Sequence, residues 1–261
     1  MATLTKPRAP VTTVKSPLRY PGGKSRAVPA IMGLIPNDTR MLWSPFLGGG
    51  SVELACAARG IRVFGSDLFE PLVNFWNHLL EGSDELADAV EDYLPLPKPR
   101  FYELQKTYLQ MSNPLERAAV FFVLNRASYS GATLAGGMSP GHPRFTPSSI
   151  QRLRDFHIEG FTVKHCDYRE AIINAPDELM YLDPPYIIES KLYGYKGDMH
   201  TDFDHEELAR ILRGKSRWIL SYNDSEEIRR LYDGYEILTP QWVYGMARDK
   251  RSREVLVVNL D

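Results

Sequence analysis

Arg40–Asp67 reads RMLWSPFLGGGSVELACAARGIRVFGSD, and the fold turns on it. Arg40–Phe46 is short, largely apolar and runs into glycines, so it reads as a buried strand entering a tight turn. Ser51–Arg59 (SVELACAAR) has a helical pattern, with Ser51 in the place of an N-cap. Ile61–Ser66 (IRVFGS) is a second strand, closed by Asp67. Strand, turn, helix and strand in succession form the unit from which parallel sheets are built.

Outward from this unit the rhythm continues, breaks and resumes. Leu68–Leu80 is amphipathic and expected to be helical. From about Leu94 to Phe161 the alternation stops: a Pro-rich hinge at Pro95–Pro99 leads into helical patterns, the clearest opening at Ser112-Asn113-Pro114, and then a Gly/Pro-rich stretch. Strands return at Phe161–His165, Leu179–Asp183, Arg217–Tyr222, Tyr235–Thr239 and Val255–Leu260. His205–Leu212 and Ser225–Tyr232 read as the helices between them. No helical pattern separates the last two strands, which predicts a terminal antiparallel hairpin. The expected fold is α/β, a parallel sheet interrupted by a mostly helical insert. The expected organisation is a flexible basic tail over 1–15, a main domain over 16–93 and 161–261, and the insert over 94–160.

With 261 residues, 43% hydrophobic and 25% charged, the chain has ordinary globular composition, which excludes global disorder. A net charge of −2 excludes a uniformly basic nucleic-acid coat, but the charge is uneven. Asp67–Asp92 holds eight acids and no Lys or Arg; Met1–Ala30 holds six Lys or Arg, and Arg117–Arg154 five Arg, with no acid in either. Arginine among Gly, Ser and Thr suits phosphate contact. Cys56 and Cys166 lie far apart and outside any CxxC pair, which argues against a disulfide framework and a zinc site, and no metal is expected. The longest apolar run, Ala118–Leu124, is too short to span a membrane. The first residues lack a secretory h-region, so no membrane partner and a cytoplasmic location are expected.

Two motifs carry chemistry. Glycines in Phe46-Leu47-Gly48-Gly49-Gly50 let a ligand approach the backbone at the carboxyl edge of the sheet. Asp67, 19 residues after Gly48, stands where an acid accepts ribose hydroxyls. A dinucleotide turn needs a third glycine where this chain has Glu53, and an acid there is a poor neighbour for pyrophosphate. The turn therefore suits a ribosyl ligand without phosphate, such as S-adenosylmethionine. Tyr181-Leu182-Asp183-Pro184-Pro185-Tyr186 follows a strand, and consecutive prolines force the chain out at the same edge. The Asp183 carboxylate and the Pro184 carbonyl then make a two-acceptor cradle for an –NH2 group, with Tyr186 as a stacking face.

Asp183-Pro184-Pro185-Tyr186 and Phe46–Gly50 together resemble the amino-methylating DNA methyltransferases. Arg19-Tyr20-Pro21-Gly22-Gly23-Lys24 makes the chain similar to the DNA adenine methyltransferase (Dam-type) family, in the α-group order of cofactor motif, target-recognition insert and catalytic motif. The resemblance reaches Ser221-Tyr222-Asn223-Asp224. It implies a Rossmann-like S-adenosylmethionine-dependent sheet and double-stranded DNA as partner, in a bacterial or phage setting. It further implies that Tyr20 and Lys24 contact the cofactor, that Phe46, Gly48, Gly49 and Gly50 floor its pocket, and that Asp67 holds its ribose. Asp183 touches cofactor and target amine, and Tyr186 stacks on an extruded adenine. Asn125-Arg126 matches a helix end of the family insert, but Ser128–Ser149 departs from the residues that read GATC, so that specificity is not carried over. Arg126, Arg144, Arg152 and Arg154 are the candidates for nucleic-acid contact. The 187–201 loop, with Tyr193 and Tyr195, is a candidate lid. Methylation of cytosine N4 or of RNA shares the acceptor logic and stays open, as does a non-catalytic nucleic-acid-binding module. Glu53 and the Asp-Pro-Pro-Tyr turn argue against an NAD-linked oxidoreductase. A monomer is compatible with the sequence.

Overall fold

The computed structural model describes residues 14–140, 144–187, 203–240 and 254–261. The described strands are β1 (Met41–Ser44), β2 (Arg62–Asp67), β3 (Phe161–His165), β4 (Leu179–Leu182), β5 (Trp218–Asn223), β6 (Glu236–Leu238) and β7 (Glu254–Asn259). They form one sheet in the order β3-β2-β1-β4-β5-β7-β6. The neighbours from β3 through to β5 are parallel, while β7 runs antiparallel to both β5 and β6. The expected hairpin is thus present, with β7 lying between β5 and its hairpin partner. Connections leave β1 toward β2 and β3 on one side, and β4 toward β5 on the other. The crevice between the carboxyl ends of β1 and β4, in register at Leu42↔Leu179 and Trp43↔Met180, is the point where an open parallel sheet binds its ligand.

The helices are α1 (Val28–Leu34), α2 (Ser51–Ala57), α3 (Glu70–Glu81), α4 (Ser83–Glu91), α5 (Lys98–Thr107), α6 (Pro114–Ala127), α7 (Pro147–Arg154), α8 (Tyr168–Ile173), α9 (His205–Leu212) and α10 (Glu226–Leu231). Several ends obey local chemistry. Asn113 caps α6 by accepting the Glu116 amide, and Pro114 fills its first turn. Asp204 and Ser225 cap α9 and α10 in the same way. Ser51 is not the cap of α2: Gly50, in the left-handed region at φ 66°, takes that place, and Ser51 is already helical. Helix α3 begins at Glu70 rather than at Leu68, because the Asp67 carboxylate takes the Phe69 amide at 2.9 Å and holds the intervening residues in a turn.

Helix α6 is buried on every side from Ala118 to Asn125, the mark of a central helix rather than a surface one. It packs on α3, where Phe75 stacks on Phe122 with centroids 5.8 Å apart and also touches Phe121. The 94–160 segment, which supplies α5, α6 and α7, therefore shares one continuous apolar core with the sheet and its helices. No helix among the described residues is long and apolar enough to cross a membrane.

One polar bracket fixes the N-terminal segment to this core. The fully buried Asn125 side chain accepts from the Arg19 amide at 2.8 Å and donates to the Arg19 carbonyl at 2.8 Å, with further bonds to Gly131 and Thr133. The Arg19 carbonyl presses against Gly131, where φ is 77° and an added Cβ would lie 2.0 Å from that oxygen. Gly131→Ala should therefore destabilise the fold by about 3 kcal/mol or more. Gly33→Ala, at an exposed position of helix α1 with nothing near its Cβ position, should stabilise by about 0.5–1 kcal/mol. Urea unfolding of the pair checks both; equal effects would contradict the bracket.

Candidate active site

At the carboxyl end of β1 the chain turns sharply through Pro45–Gly50, tied by Leu47 N–H to the Ser66 carbonyl and Gly50 N–H to the Leu47 carbonyl, both 2.9 Å. The turn must be glycine-rich because Tyr20 lies across it. A Cβ on Gly48 would meet the Tyr20 ring at 2.9 Å, and one on Gly49 would meet the Tyr20 Cβ at 2.9 Å. The Trp76 indole N–H donates to the Gly48 carbonyl at 3.1 Å from the other side. Asp67, at the end of the neighbouring β2, accepts the Gly48 amide at 2.9 Å. Its burial raises its carboxyl above the usual range, against the pull of these amides. The expected cofactor residues Tyr20, Phe46, Gly48, Gly49, Gly50 and Asp67 thus line one cavity of about 350 Å³.

Asp183, just past β4, faces them across the crevice. The Lys24 ammonium, 4% exposed, reaches its Oδ1 at 2.8 Å and also donates to the Gly22 carbonyl at 2.9 Å. Glu254 at the start of β7 lies 3.9 Å from the same ammonium. Lys24 also sits over the Tyr186 ring, 4.8 Å from its centroid. Burial pushes Asp183 up to about 6; Lys24 first, and then a hydrogen bond from Tyr186, hold it from going higher, while Glu254 adds to the rise. Asn223, at the end of β5, anchors the turn from behind: its side chain accepts the Ile187 amide at 3.2 Å and donates to the Ile187 carbonyl at 3.4 Å. Ile187 is the first residue of the candidate lid, and the rest of that lid, 188–201, lies outside the described residues.

Several lining residues carried no recognisable motif. Phe46 stacks on Tyr168 at 5.3 Å and meets Phe203 edge-on at 5.7 Å, an aromatic slot brought together from β1, α8 and the approach to α9. Asp167, Arg169 and Asp204 also line the cavity. Asp167 comes just after β3 as Asp67 closes β2, and that parallel was the available signal. Glu53, noted in the sequence only as a missing glycine, is a buried wall residue here. Five carboxyl groups, Glu53, Asp67, Asp167, Asp183 and Asp204, stand against Lys24 and Arg169 in the lining, so the cavity favours a cationic ligand over pyrophosphate. Among the described residues no cluster of His, Cys, Asp and Glu could hold a metal ion.

The four arginines do not share one environment. Arg126, at the end of α6, spends its donors on the Arg144 and Pro17 carbonyls, and Arg19 bonds to the Ser128 carbonyl. Arg126 is pushed down to about 10, first by burial and then by Arg152, Arg19 and Arg144, so these four guanidinium groups repel one another. None of the four makes an ion pair among the described residues. Such a cluster is set for an anion. Arg154 lies apart, its guanidinium 2.6 Å from Asp88, 2.7 Å from Glu91 and 4.0 Å from Asp84, all on α4. The acidic and basic stretches thus meet at the α4–α7 contact instead of forming wholly opposed faces. Arg19, absent from the sequence candidates, takes the place in the cluster that Arg154 does not.

Relatives are similar to this chain over most of its length. A DNA adenine methylase of Haemophilus influenzae is 24% identical over 240 residues, covering 83% of this chain and 82% of that protein. The type II methyltransferase M1.LlaDCHI of Lactococcus lactis subsp. cremoris is 22% identical over 84% of each chain. A DNA N-6-adenine-methyltransferase of Escherichia phage P1 is 26% identical over 84% of this chain, which spans only 31% of that longer protein. The sequence profile of the D12 class matches from residue 20 to residue 246, taking in the Tyr20–Lys24 segment, the glycine turn and Asp183–Tyr186. The chain therefore belongs to the D12 class N6 adenine-specific DNA methyltransferase family.

Proposed function

We propose that this protein methylates N6 of adenine at a specific site in double-stranded DNA, with S-adenosylmethionine as methyl donor and the target base extruded from the duplex, in the cytoplasm of a bacterial or phage-infected cell. The observation that carries the reading is the 2.8 Å contact between Lys24 and Asp183, placed between the glycine turn and Tyr186 at the switch point of the sheet. The acid-rich cavity fits a ligand that carries positive charge, and Asp67 retains lone pairs for ribose hydroxyls. Bound there, S-adenosylmethionine supplies an activated methyl group on a sulfonium centre.

The rest of the chemistry belongs to the chain. Lys24 keeps Asp183 ionised in a buried setting. Asp183 and the Pro184 carbonyl accept the two N–H bonds of the adenine amine. They draw its lone pair out of ring conjugation and aim it along the line of transfer. Tyr186 offers its ring to the extruded base, whose removal from the stack costs a few kcal/mol. Arg19, Arg126, Arg144 and Arg152 hold the phosphate backbone, outside the pocket.

Asp183→Ala should abolish methylation while the fold persists, since Lys24 keeps Glu254 as a counter-ion. Circular dichroism and methyl transfer checked together decide this, and near-normal turnover would sink the mechanism. Expression in a methylation-free host, followed by mapping of modified bases, should show N6-methyladenine at one sequence; N4-methylcytosine in its place would overturn the substrate.

The pH dependence has a definite sign. Asp183 lies raised, at about 6, and its protonated form donates where it must accept. With cofactor and DNA saturating, kcat should therefore be full above that pH and fall about tenfold per unit below it. A profile flat down to pH 5 would place the acceptor elsewhere.

Arg126→Ala, Arg144→Ala and Arg152→Ala should each weaken binding to all sequences alike and reduce the salt slope by about one unit. Arg154→Ala should leave that slope unchanged and cost at most about 1 kcal/mol of stability. Fluorescence anisotropy across a salt series separates the two outcomes.

A further inference from the structure

Glu53 is a buried ionisable group that the mechanism above does not use. It sits in the first turn of α2, 2% exposed, in the wall of the cofactor cavity. Ser44 at the end of β1 donates its hydroxyl to Oε1 at 2.6 Å. The titratable groups around it are Lys24 on the N-terminal segment, Asp183 past β4, Tyr181 on β4 and the Cys56 thiol along α2. Of these only Lys24 is a cation, and its ammonium is taken up by Asp183 at 2.8 Å and Glu254 at 3.9 Å. Among the described residues Glu53 makes no ion pair.

Asp183 and Asp167 pair with Lys24 and Arg169, Asp67 accepts two amides of its turn and Asp204 caps α9, so among the lining carboxyl groups Glu53 is the nearly fully buried one without an ion pair. A ligand that brings positive charge supplies what is missing, and a neutral one does not. S-adenosylmethionine carries a sulfonium besides its ammonium and carboxylate. S-adenosylhomocysteine, left after transfer, has a neutral thioether in place of the sulfonium and is otherwise the same. We infer that Glu53 is the residue by which this pocket distinguishes the sulfonium cofactor from its thioether product. The inference rests on the cofactor reading above.

The proton accounting is simple. Burial lifts the Glu53 carboxyl to about 7, with the Ser44 hydrogen bond opposing the rise. At neutral pH it is about half ionised. When the sulfonium enters, the protonated fraction gives its proton to solvent and the carboxylate meets the positive centre. When the thioether remains, nothing holds that charge and the carboxyl recovers its proton from solvent. Asp183, at about 6, is already mostly ionised at pH 7 and adds little to the count. The product is then held less tightly than the substrate cofactor, which favours its release.

Titration calorimetry at pH 7 tests this with the intact protein, using S-adenosylmethionine and S-adenosylhomocysteine in buffers of different ionisation enthalpy. Binding of the sulfonium compound should release roughly half a proton, and binding of the thioether almost none. Glu53→Gln should lower the preference for the sulfonium roughly tenfold, through weaker binding of that ligand alone. Ser44→Ala removes the donor that favours the charged form, so proton release with S-adenosylmethionine should grow. That variant and the wild-type proton count decide the matter should Glu53→Gln fail to fold. Equal proton release for the two ligands, or an unchanged preference in Glu53→Gln, would overturn the inference while leaving the cofactor reading intact. Failure of folded wild-type protein to bind either ligand would overturn both.

Discussion

The buried contact between Lys24 and Asp183 is the constraint around which the site is organised. Lys24 lies on a segment that precedes the sheet, Asp183 on the turn that leaves β4, and Glu254 on β7. Three remote stretches of chain therefore converge on one ammonium group. A buried carboxylate with no such partner would take up a proton and lose its use as an acceptor. The geometry that keeps Asp183 charged also seats Lys24 above the Tyr186 ring, so the acceptor and the stacking face are positioned by the same side chain.

That ammonium stays in place because the segment carrying it is gripped at two points. Asn125 takes both backbone polar groups of Arg19, and the glycine turn receives Tyr20. Six residues from Arg19 to Lys24 thus run from the basic cluster, across the glycine turn, to the acceptor. Helix α6, which provides Asn125, also ends in Arg126, so the candidate phosphate site and the cofactor cavity are built on shared backbone.

The sequence was legible where a residue's role follows from its place at a strand end. Asp67 and Asp183 each close a strand, and with the glycine turn they announce a ligand at the carboxyl edge whatever the strand order. Tyr168 and Phe203 were not legible, because they reach Phe46 only once β3 lies beside β2 and Phe203 packs against Tyr168. Glu53 was visible as a departure from a dinucleotide turn, yet its burial against Ser44 required the packing of α2 on β1. The charge count found the acid-free stretch correctly but could not name its neighbours. Arg154 faces α4 because α7 packs on α4, which in turn packs on α6, a tertiary relation that spacing does not encode. Ser51 was misplaced as a cap because Gly50 alone can adopt the left-handed conformation that the turn demands there.

The fit of Tyr20 against Gly48 and Gly49 also bears on how such a pocket changes over generations. There is no room for a side chain at Gly48 while an aromatic ring occupies position 20, and none at Gly49 while position 20 carries even a Cβ where Tyr20 has it. Positions 20 and 49 are thus a lock: a lineage can add a methyl group at 49 only if the chain at 20 draws back. Drift in the cofactor turn is limited by a residue nearly thirty positions upstream, outside the motif by which the turn is recognised.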